Sequence, residues 1–275
     1  MYKLEKNKII ITDLSDFCIE HILECGQVFT YEKVANKCYK VFSKDKFAYV
    51  TELDTYAEIK TQDVAYFVDY FDLKTQYSDI KNCLKNDENL KNAIKFGYGI
   101  RILNQDIIEV IIGFIISANN NIKRIMNTMQ KIRQFGENRG EYYCFPSLKV
   151  LQTISVEQFK DMGAGYRAEY LVESIKVLAE TNFDNIKKLD NQSLRKWLIS
   201  LKGVGPKVAD CIMLFGFSRC ESFPVDTWIE KVYFDIFKQK KPREQMSKDL
   251  LLHYGELSGY AQQYLFYYKR SFVQK

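Results

Sequence analysis

The sequence predicts an α+β protein in which an N-terminal antiparallel sheet domain packs on an all-helical body. Short runs of β-branched and aromatic residues characterise the first hundred residues, whereas apolar residues recur at helical spacing from about Tyr77 onward. This change predicts a sheet domain over 1–100 and a helical body over 101–275, with room for 76–100 in the helical body. A chain of 275 residues is long enough for two or three closely packed domains.

Three strands and one helix are predicted in the N-terminal domain. The segments 8–12, 38–42 and 47–51 have the composition of strands, and a polar turn over 43–46 joins the last two into a hairpin. A helix is expected to begin near residues 61–63. Its apolar face is predicted to consist of Val64, Phe67, Val68 and Phe71.

The helical body is predicted from segments whose apolar residues recur every three or four positions, which places them on one face of each helix. These residues are Ile107, Val110, Ile111, Phe114 and Ile115, then Tyr170, Leu171, Ile175 and Leu178, then Leu194, Trp197, Leu198 and Leu201.

Composition narrows the class of protein. A hydrophobic content of 47% supplies a core and excludes a disordered chain. The longest apolar stretch, 107–118, contains Glu109 and falls short of the ~20 residues of a membrane span, and the N-terminus lacks the apolar region of a signal peptide. Seven cysteines without a C-x-x-C pair and two histidines predict reduced thiols and no metal cluster. We therefore expect an intracellular protein. The net charge of +5 favours a polyanionic partner but does not by itself establish one.

The most informative segment is 201–211, which reads LKGVGPKVADC. A helix is expected to end at the first glycine, the turn Gly203-Val204-Gly205 follows, and Pro206 opens the next helix. Exposed amides at the start of that helix would suit a DNA phosphate, without sequence readout. An ordinary tight connection between two helices explains the same pattern, so the segment alone leaves both interpretations open.

Lys207 and Asp226 add a chemical argument. Lys207 lies in the first turn of the second helix, where the helix dipole disfavours a cation. We expect this position to lower the pKa of the amine and so to favour a nucleophile near neutral pH. Asp226, nineteen residues later, can act as a helix N-cap, as a carboxylate partner of the amine, or as both.

At this point the sequence resembles a known family. Residues 203–207, followed by Pro224-Val225-Asp226, resemble the helix–hairpin–helix and Gly-Pro-Asp signature of DNA glycosylases. Within that superfamily the chain is most similar to the 8-oxoguanine DNA glycosylases. The segments that carry this closer similarity are CGQVF over 25–29, SANNNIKR over 117–124, GYRA over 165–168 and GYAQQYLF over 259–266. The resemblance implies a TATA-binding-protein-like sheet domain, a hairpin over about 192–217 and a bacterial member of the family.

By this resemblance, Lys207 is the Schiff-base nucleophile of a bifunctional DNA glycosylase/AP lyase in base excision repair. The amine is expected to attack C1′ of the damaged nucleotide, displace the base and leave an imine, which undergoes β-elimination at the abasic site. Asp226 is expected to stabilise the positive charge that develops on the sugar. The turn of Gly203, Val204 and Gly205 is expected to contact the DNA backbone.

The lesion base must leave the helix stack, and the resemblance assigns four residues to the opened pair. Asn119 is expected to fill the gap, and Tyr166 to lie beside the orphaned base. Arg124 and Arg167 are expected to donate hydrogen bonds to N3 and O2 of cytosine, both of which are acceptors. Taken alone, these residues also fit a capping asparagine cluster and surface arginines.

The pocket is expected to distinguish 8-oxoguanine from guanine at one atom, N7. The lesion carries N7–H, a donor, where guanine has a lone pair, and the resemblance implies that the backbone carbonyl of Gly26 accepts from it. Gln262 and Phe266 lie four apart on one helix face, offering an amide for the Watson–Crick edge and a ring for stacking. The resemblance also places in this pocket Cys211, Phe215 and Pro224.

The resemblance implies no organic cofactor and no catalytic metal, and it leaves room for a structural monovalent cation on hairpin carbonyls. The expected partner is double-stranded DNA containing 8-oxoguanine, bound by a monomer without a protein partner or a membrane, in the bacterial cytoplasm at the nucleoid. Two alternatives stay open: a glycosylase/lyase of this superfamily for another oxidised base, and a non-catalytic hairpin module that binds DNA. Trp228 departs from the family pattern, since eukaryotic relatives carry a histidine there near the phosphate; Ala118 and Tyr260 are smaller departures.

Overall fold

Six strands form one antiparallel sheet at the N-terminal end of the computed structural model, which describes residues 1–271. The strands are β1 (Tyr2–Glu5), β2 (Lys8–Ile11), β3 (Tyr31–Ala35), β4 (Cys38–Ser43), β5 (Lys46–Glu52) and β6 (Ala57–Lys60). Their order across the sheet is β1-β2-β6-β5-β4-β3. The strands predicted over 8–12, 38–42 and 47–51 are confirmed as β2, β4 and β5. The other three strands were not predicted; each has only four or five residues and pairs with a predicted neighbour.

Two helices, α1 (Ile19–Glu24) and α2 (Val64–Tyr70), pack on the sheet. The second of these is the helix predicted near residues 61–63. Its Phe67 and the following Phe71 are fully buried in one cluster with residues of β2, β4, β5 and β6. The sheet therefore buries one face, as the alternation of β5 requires.

The rest of the chain is helical, as predicted. The helices are α3 (Tyr77–Leu84), α4 (Glu88–Phe96), α5 (Ile107–Ser117), α6 (Ile122–Arg133), α7 (Leu148–Leu151), α8 (Val156–Asp161), α9 (Arg167–Ala179), α10 (Phe183–Lys187), α11 (Asn191–Ser200), α12 (Pro206–Gly216), α13 (Thr227–Phe237), α14 (Arg243–Tyr254) and α15 (Ser258–Ser271), with a 3₁₀ turn over Gly255–Leu257.

Helix α5 is the centre of the helical body. All its residues from Glu109 to Ile116 are buried, which explains the apolar stretch over 107–118: the segment is a core helix. Helices α6, α9, α11 and α12 contribute to the same core, whereas α4, α13, α14 and α15 form a second one. In residues 1–271, no helix is long and apolar enough to cross a membrane, and no cluster of histidine, cysteine and acidic side chains could hold a metal ion.

A buried ion pair joins the helical body to the sheet domain. Glu109 of α5 lies 3.4 Å from Nη2 of Arg133, on α6, and both side chains are almost fully buried. The backbone N–H of Lys44, in the β4–β5 turn, donates to the same carboxylate. Arg133 in turn donates to the carbonyl oxygens of Tyr143 and Lys44, at 2.8 and 3.3 Å. The pair therefore fixes the β4–β5 turn against α5 and α6.

Candidate active site

Helices α11 and α12 form the expected hairpin. Gly203 has φ of +81°, and a Cβ there would lie 2.7 Å from Cδ2 of Tyr170, so this position needs glycine for both its conformation and its close contact. Gly205, the N-cap of α12, faces open space instead. Val204 between them is buried and anchors the turn in the core. The hairpin thus holds its tip rigidly and leaves the N-terminus of α12 accessible.

Lys207 is the second residue of α12, one turn before Cys211. Its side chain is partly buried, and Nζ lies 5.6 Å from the centroid of the Phe114 ring. Asp226 is the N-cap of α13, where Oδ1 accepts from the backbone N–H groups of Trp228 and Ile229 at 3.0 and 2.9 Å. The N-cap interpretation of Asp226 is therefore confirmed, and the cap also fixes the carboxylate at the edge of the Lys207 pocket.

The expected lowering of the Lys207 pKa is wrong for this state of the protein. Burial of the ammonium lowers the pKa, but the negative charges of Cys211 and Asp226 outweigh it, so the pKa lies above its ordinary value. Burial raises the pKa of the Cys211 thiol to about 11, so Cys211 carries that charge only in alkaline solution. Position on the helix dipole was not sufficient to predict the sign, because it leaves out the effects of the neighbouring Cys211 and Asp226.

This raised pKa predicts how Schiff-base formation depends on pH. Below the pKa, the fraction of free amine grows about tenfold for each pH unit. We therefore expect borohydride trapping on a duplex with a preformed abasic site to become faster from neutral to alkaline pH. Asp226→Asn removes a negative charge that raises the pKa of Lys207 but keeps an oxygen that caps α13. In this variant the trapping rate should therefore begin to rise at a lower pH. An unshifted profile in this variant would contradict the electrostatic coupling.

The residues expected around the lesion base line one small cavity of about 30 Å³. Five elements contribute: the segment after α1, α5, the inner face of α12, the approach to α13, and α15. The expected residues in its lining are Gly26, Lys207, Cys211, Phe215, Pro224, Asp226, Gln262 and Phe266. Side chains far apart in sequence thus meet where the two helical cores and the sheet domain adjoin.

Two lining residues were missed by sequence reasoning. Phe114 of α5 stacks on Phe215, with ring centroids 5.6 Å apart and planes 11° from parallel. The helical spacing of Phe114 predicted only that it is a core residue. Gln263 is buried and donates from Nε2 to the carbonyl oxygen of Cys25 at 3.1 Å. Nothing in the sequence separates its role from that of Gln262.

Two features of the pocket lining are suited to a bound ligand. Gly26 has φ of +90°, a conformation that favours glycine. The Oε1 atom of Gln262 is buried and has no hydrogen-bond partner among residues 1–271. Buried polar atoms normally have partners, so an unpaired acceptor directed at a cavity indicates a ligand that donates to it.

Three of the four residues expected at the orphaned base meet around one loop. Arg167 is buried and donates to the carbonyl oxygens of Ala118, Asn119 and Ala164, so its interpretation as a surface arginine is wrong. Asn119 is exposed, with φ of +50°. Tyr166 is 53% exposed and stacks under the Arg167 guanidinium at 4.4 Å. Arg167 therefore shapes the loop that presents Asn119.

Arg124 follows that loop, in the exposed first turn of α6. Its backbone N–H donates to the side chain of Asn121, which caps the helix at 3.0 Å. The capping interpretation of the asparagine triplet is thus confirmed for Asn121. Trp228, the residue that departs from the family pattern, contacts Lys231, whose Nζ lies 4.4 Å from the ring centroid.

Comparison with known proteins agrees with this geometry. Residues 9–111 match the family model of the 8-oxoguanine DNA glycosylase N-terminal domain. A probable N-glycosylase/DNA lyase of Methanothermobacter thermautotrophicus is 32% identical, over 80% of this chain and 80% of its own length. The N-glycosylase/DNA lyase OGG1 of Arabidopsis thaliana is 34% identical, over 66% of this chain and 55% of its own length. The Clostridium acetobutylicum 8-oxoguanine glycosylase/lyase, in complex with double-stranded DNA containing cytosine opposite 8-oxoG, superposes with a TM-score of 0.91, at 34% identity over 98% of both chains.

The α+β fold, the hairpin and the lysine–aspartate pair at its end define the class of helix–hairpin–helix DNA glycosylases. Within that class, residues 9–111 match the N-terminal domain of the 8-oxoguanine DNA glycosylases, and most of the chain matches full-length relatives. The chain belongs to the 8-oxoguanine DNA glycosylase family.

Proposed function

We propose that this protein excises 8-oxoguanine paired with cytosine from double-stranded DNA and then cleaves the abasic strand. One cavity carries the proposal. The groups that border it are the amine of Lys207, the carboxylate of Asp226, the buried amide of Gln262 and the positive-φ Gly26. Family membership supports the same reaction, because relatives are named N-glycosylase/DNA lyase and 8-oxoguanine glycosylase/lyase.

Lys207 is the nucleophile in this proposal. Nζ loses a proton and attacks C1′, the bond from C1′ to N9 breaks, and the base leaves with the bonding electron pair. The carboxylate of Asp226 stabilises the positive charge on the sugar as that bond breaks. After loss of a second proton, the nitrogen lone pair forms the C1′=N bond as the C1′–O4′ bond breaks, and O4′ takes up a proton. The resulting protonated imine acidifies C2′, so removal of a C2′ proton breaks the C3′–O bond and expels the 3′ phosphate. The amine is indispensable to this sequence, because water cannot form an imine.

The remaining residues bind the two separated bases. Gly26 accepts from N7–H of the lesion, Gln262 pairs with its Watson–Crick edge, and the base stacks between Phe266 and Cys211. Phe215 and Pro224 complete the apolar wall. On the other strand, Asn119 fills the gap, Tyr166 stacks beside cytosine, and Arg124 and Arg167 donate to it.

The proposed division is a sheet domain over 1–100 and a helical body over 101–275, to which part of the segment 76–100 contributes. This assignment is supported by α4, whose Leu90 and Ala93 pack in the same core as Tyr264 of α15. The hairpin of Gly203, Val204 and Gly205 binds DNA backbone phosphate. A monovalent cation on its carbonyls, monomeric action without an organic cofactor, and a place at the bacterial nucleoid in the cytoplasm remain predictions.

The preference for cytosine can be measured directly. We expect single-turnover excision of 8-oxoguanine to be fastest opposite cytosine, by about tenfold or more over thymine, because arginine donors find acceptors at N3 and O2. Arg124→Met should reduce this preference, whereas Lys123→Met, which removes an adjacent exposed cation, should weaken DNA binding without changing the ratio. Equal rates opposite all four bases would contradict the cytosine contacts, and excision of a different oxidised base alone would replace the proposed substrate.

A further inference from the structure

One charged side chain borders the lesion pocket without a part in the chemistry described above. Arg270 lies in the last turn of α15, four residues after Phe266 and eight after Gln262, so these side chains follow one face of the helix. Its guanidinium carbon is 5.2 Å from the ring centroid of Phe266. A Cβ on Gly26 would lie 2.7 Å from Nη1 of Arg270. Arg270 therefore contacts the Phe266 ring and adjoins Gly26, two residues that line the pocket.

The same guanidinium holds the backbone that leads into Gly26. Its Nη2 donates to the carbonyl oxygen of Glu24, the last residue of α1. Carbonyls at a helix C-terminus lack partners within the helix, and a cation there is favourable. Gln263 donates to the next carbonyl, that of Cys25, at 3.1 Å. The two carbonyls before that of Gly26 are thus both attached to α15.

We propose that Arg270 is a positioning residue for lesion discrimination, an inference that rests on the proposed function. The Gly26 carbonyl separates 8-oxoguanine from guanine only if it remains where N7 arrives, since a carbonyl that turns away avoids the lone pair of guanine. Glycine does not supply this stiffness, because its backbone is the least restricted of all residues. The hydrogen bond from Arg270 to Glu24 supplies it by fixing the segment to α15.

This attachment also matters while the pocket opens. A cavity of about 30 Å³ holds about one water molecule, so its lining, which includes the Phe266 ring, must move to admit a purine. The bond from Arg270 to the Glu24 carbonyl does not involve the ring. Gly26 therefore stays attached to the base-binding helix during entry. The nucleophile is carried by a different helix, α12, and does not depend on this contact.

Two variants and two readouts test the proposal. Arg270→Met keeps an unbranched apolar stem and removes the donors, and Arg270→Lys keeps one donor for the Glu24 carbonyl. The first readout is the ratio of affinities for duplexes containing 8-oxoguanine and guanine, measured in the Lys207→Gln background so that no bond is broken. The second is nicking of a preformed abasic site with Lys207 present, which requires no base in the pocket.

For Arg270→Met we expect the affinity ratio to fall about tenfold, because a contribution the size of one hydrogen bond no longer favours 8-oxoguanine over guanine. Nicking of the abasic site should stay within about twofold of wild type. Arg270→Lys should recover part of the ratio. Lys269→Met, on the same helix and paired with Asp235 at 2.6 Å, is the matched control and should leave both readouts unchanged.

An unchanged ratio in Arg270→Met would overturn the proposal. So would an equal loss of abasic-site nicking, because a general structural defect affects both readouts, or no recovery in Arg270→Lys. A wild-type protein that nicks abasic DNA but releases no 8-oxoguanine would instead overturn the proposed function, and that outcome is visible before any variant is made.

Discussion

Lys207→Gln should abolish the covalent enzyme–DNA adduct and reduce release of 8-oxoguanine by roughly 10⁴-fold or more, the range seen when a nucleophile is removed. Glutamine approximates the length of the side chain but its amide cannot form an imine. The substitution also removes the cation next to Cys211 and Asp226, so it leaves no alternative amine in that position. The measurement is borohydride trapping on a duplex with 8-oxoguanine opposite cytosine.

A matched control separates the chemistry from DNA binding. Lys202→Gln removes a positive charge from the same hairpin, but Lys202 is exposed and its nearest ion-pair partner is Glu173, 4.0 Å away. It should retain the adduct and show only weaker binding at raised salt. Trapping that persists in Lys207→Gln would mean that another amine is the nucleophile. No trapping in the wild type, with 8-oxoguanine released, would indicate a glycosylase that uses water.

The hairpin was predictable from sequence for a physical reason, whereas the pocket residues were expected only from the resemblance to the family. Gly203, Pro206 and Lys207 act through local backbone geometry, which fixes the end of one helix and the start of the next. Gln262 and Phe266 share a helix face, so their spacing alone brings them together. Such local rules require no knowledge of the rest of the fold.

Other features arise only from tertiary contacts. Phe114 has the spacing of any core residue, and its place against Phe215 depends on how α5 and α12 pack. The sign of the Lys207 pKa shift depends on anions from two elements. Arg167 is a surface residue by composition, yet it is buried under carbonyls of the Asn119 loop. These residues needed the structure.

Arg133→Met should lower the free energy of unfolding by about 3–5 kcal/mol near pH 8, because it leaves the Glu109 carboxylate buried without its cation. It also removes donors from the Tyr143 and Lys44 carbonyls, which secure the β4–β5 turn. Arg139→Met removes an exposed arginine paired with Glu137 at 2.8 Å and should have little effect, since exposed pairs contribute little. The measurement is chemical unfolding monitored by tryptophan fluorescence.

The size of this effect should depend on pH, and the direction identifies its cause. Burial raises the pKa of Glu109 to about 7, above its ordinary value of 4.5, so ionisation of this group opposes folding. Its contribution to stability is present below the unfolded pKa, declines as pH rises, and is lost once pH passes the folded pKa. Because the Arg133 charge lowers that pKa, Arg133→Met should raise it further, and the variant should lose most stability in alkaline solution and least near pH 5. Glu109→Gln should remove this pH dependence, and adding it to Arg133→Met should recover stability at pH 8, because no buried charge remains. An equal loss for Arg133→Met at both pH values would mean that packing and the carbonyl hydrogen bonds, not the buried carboxylate, determine the role of Arg133.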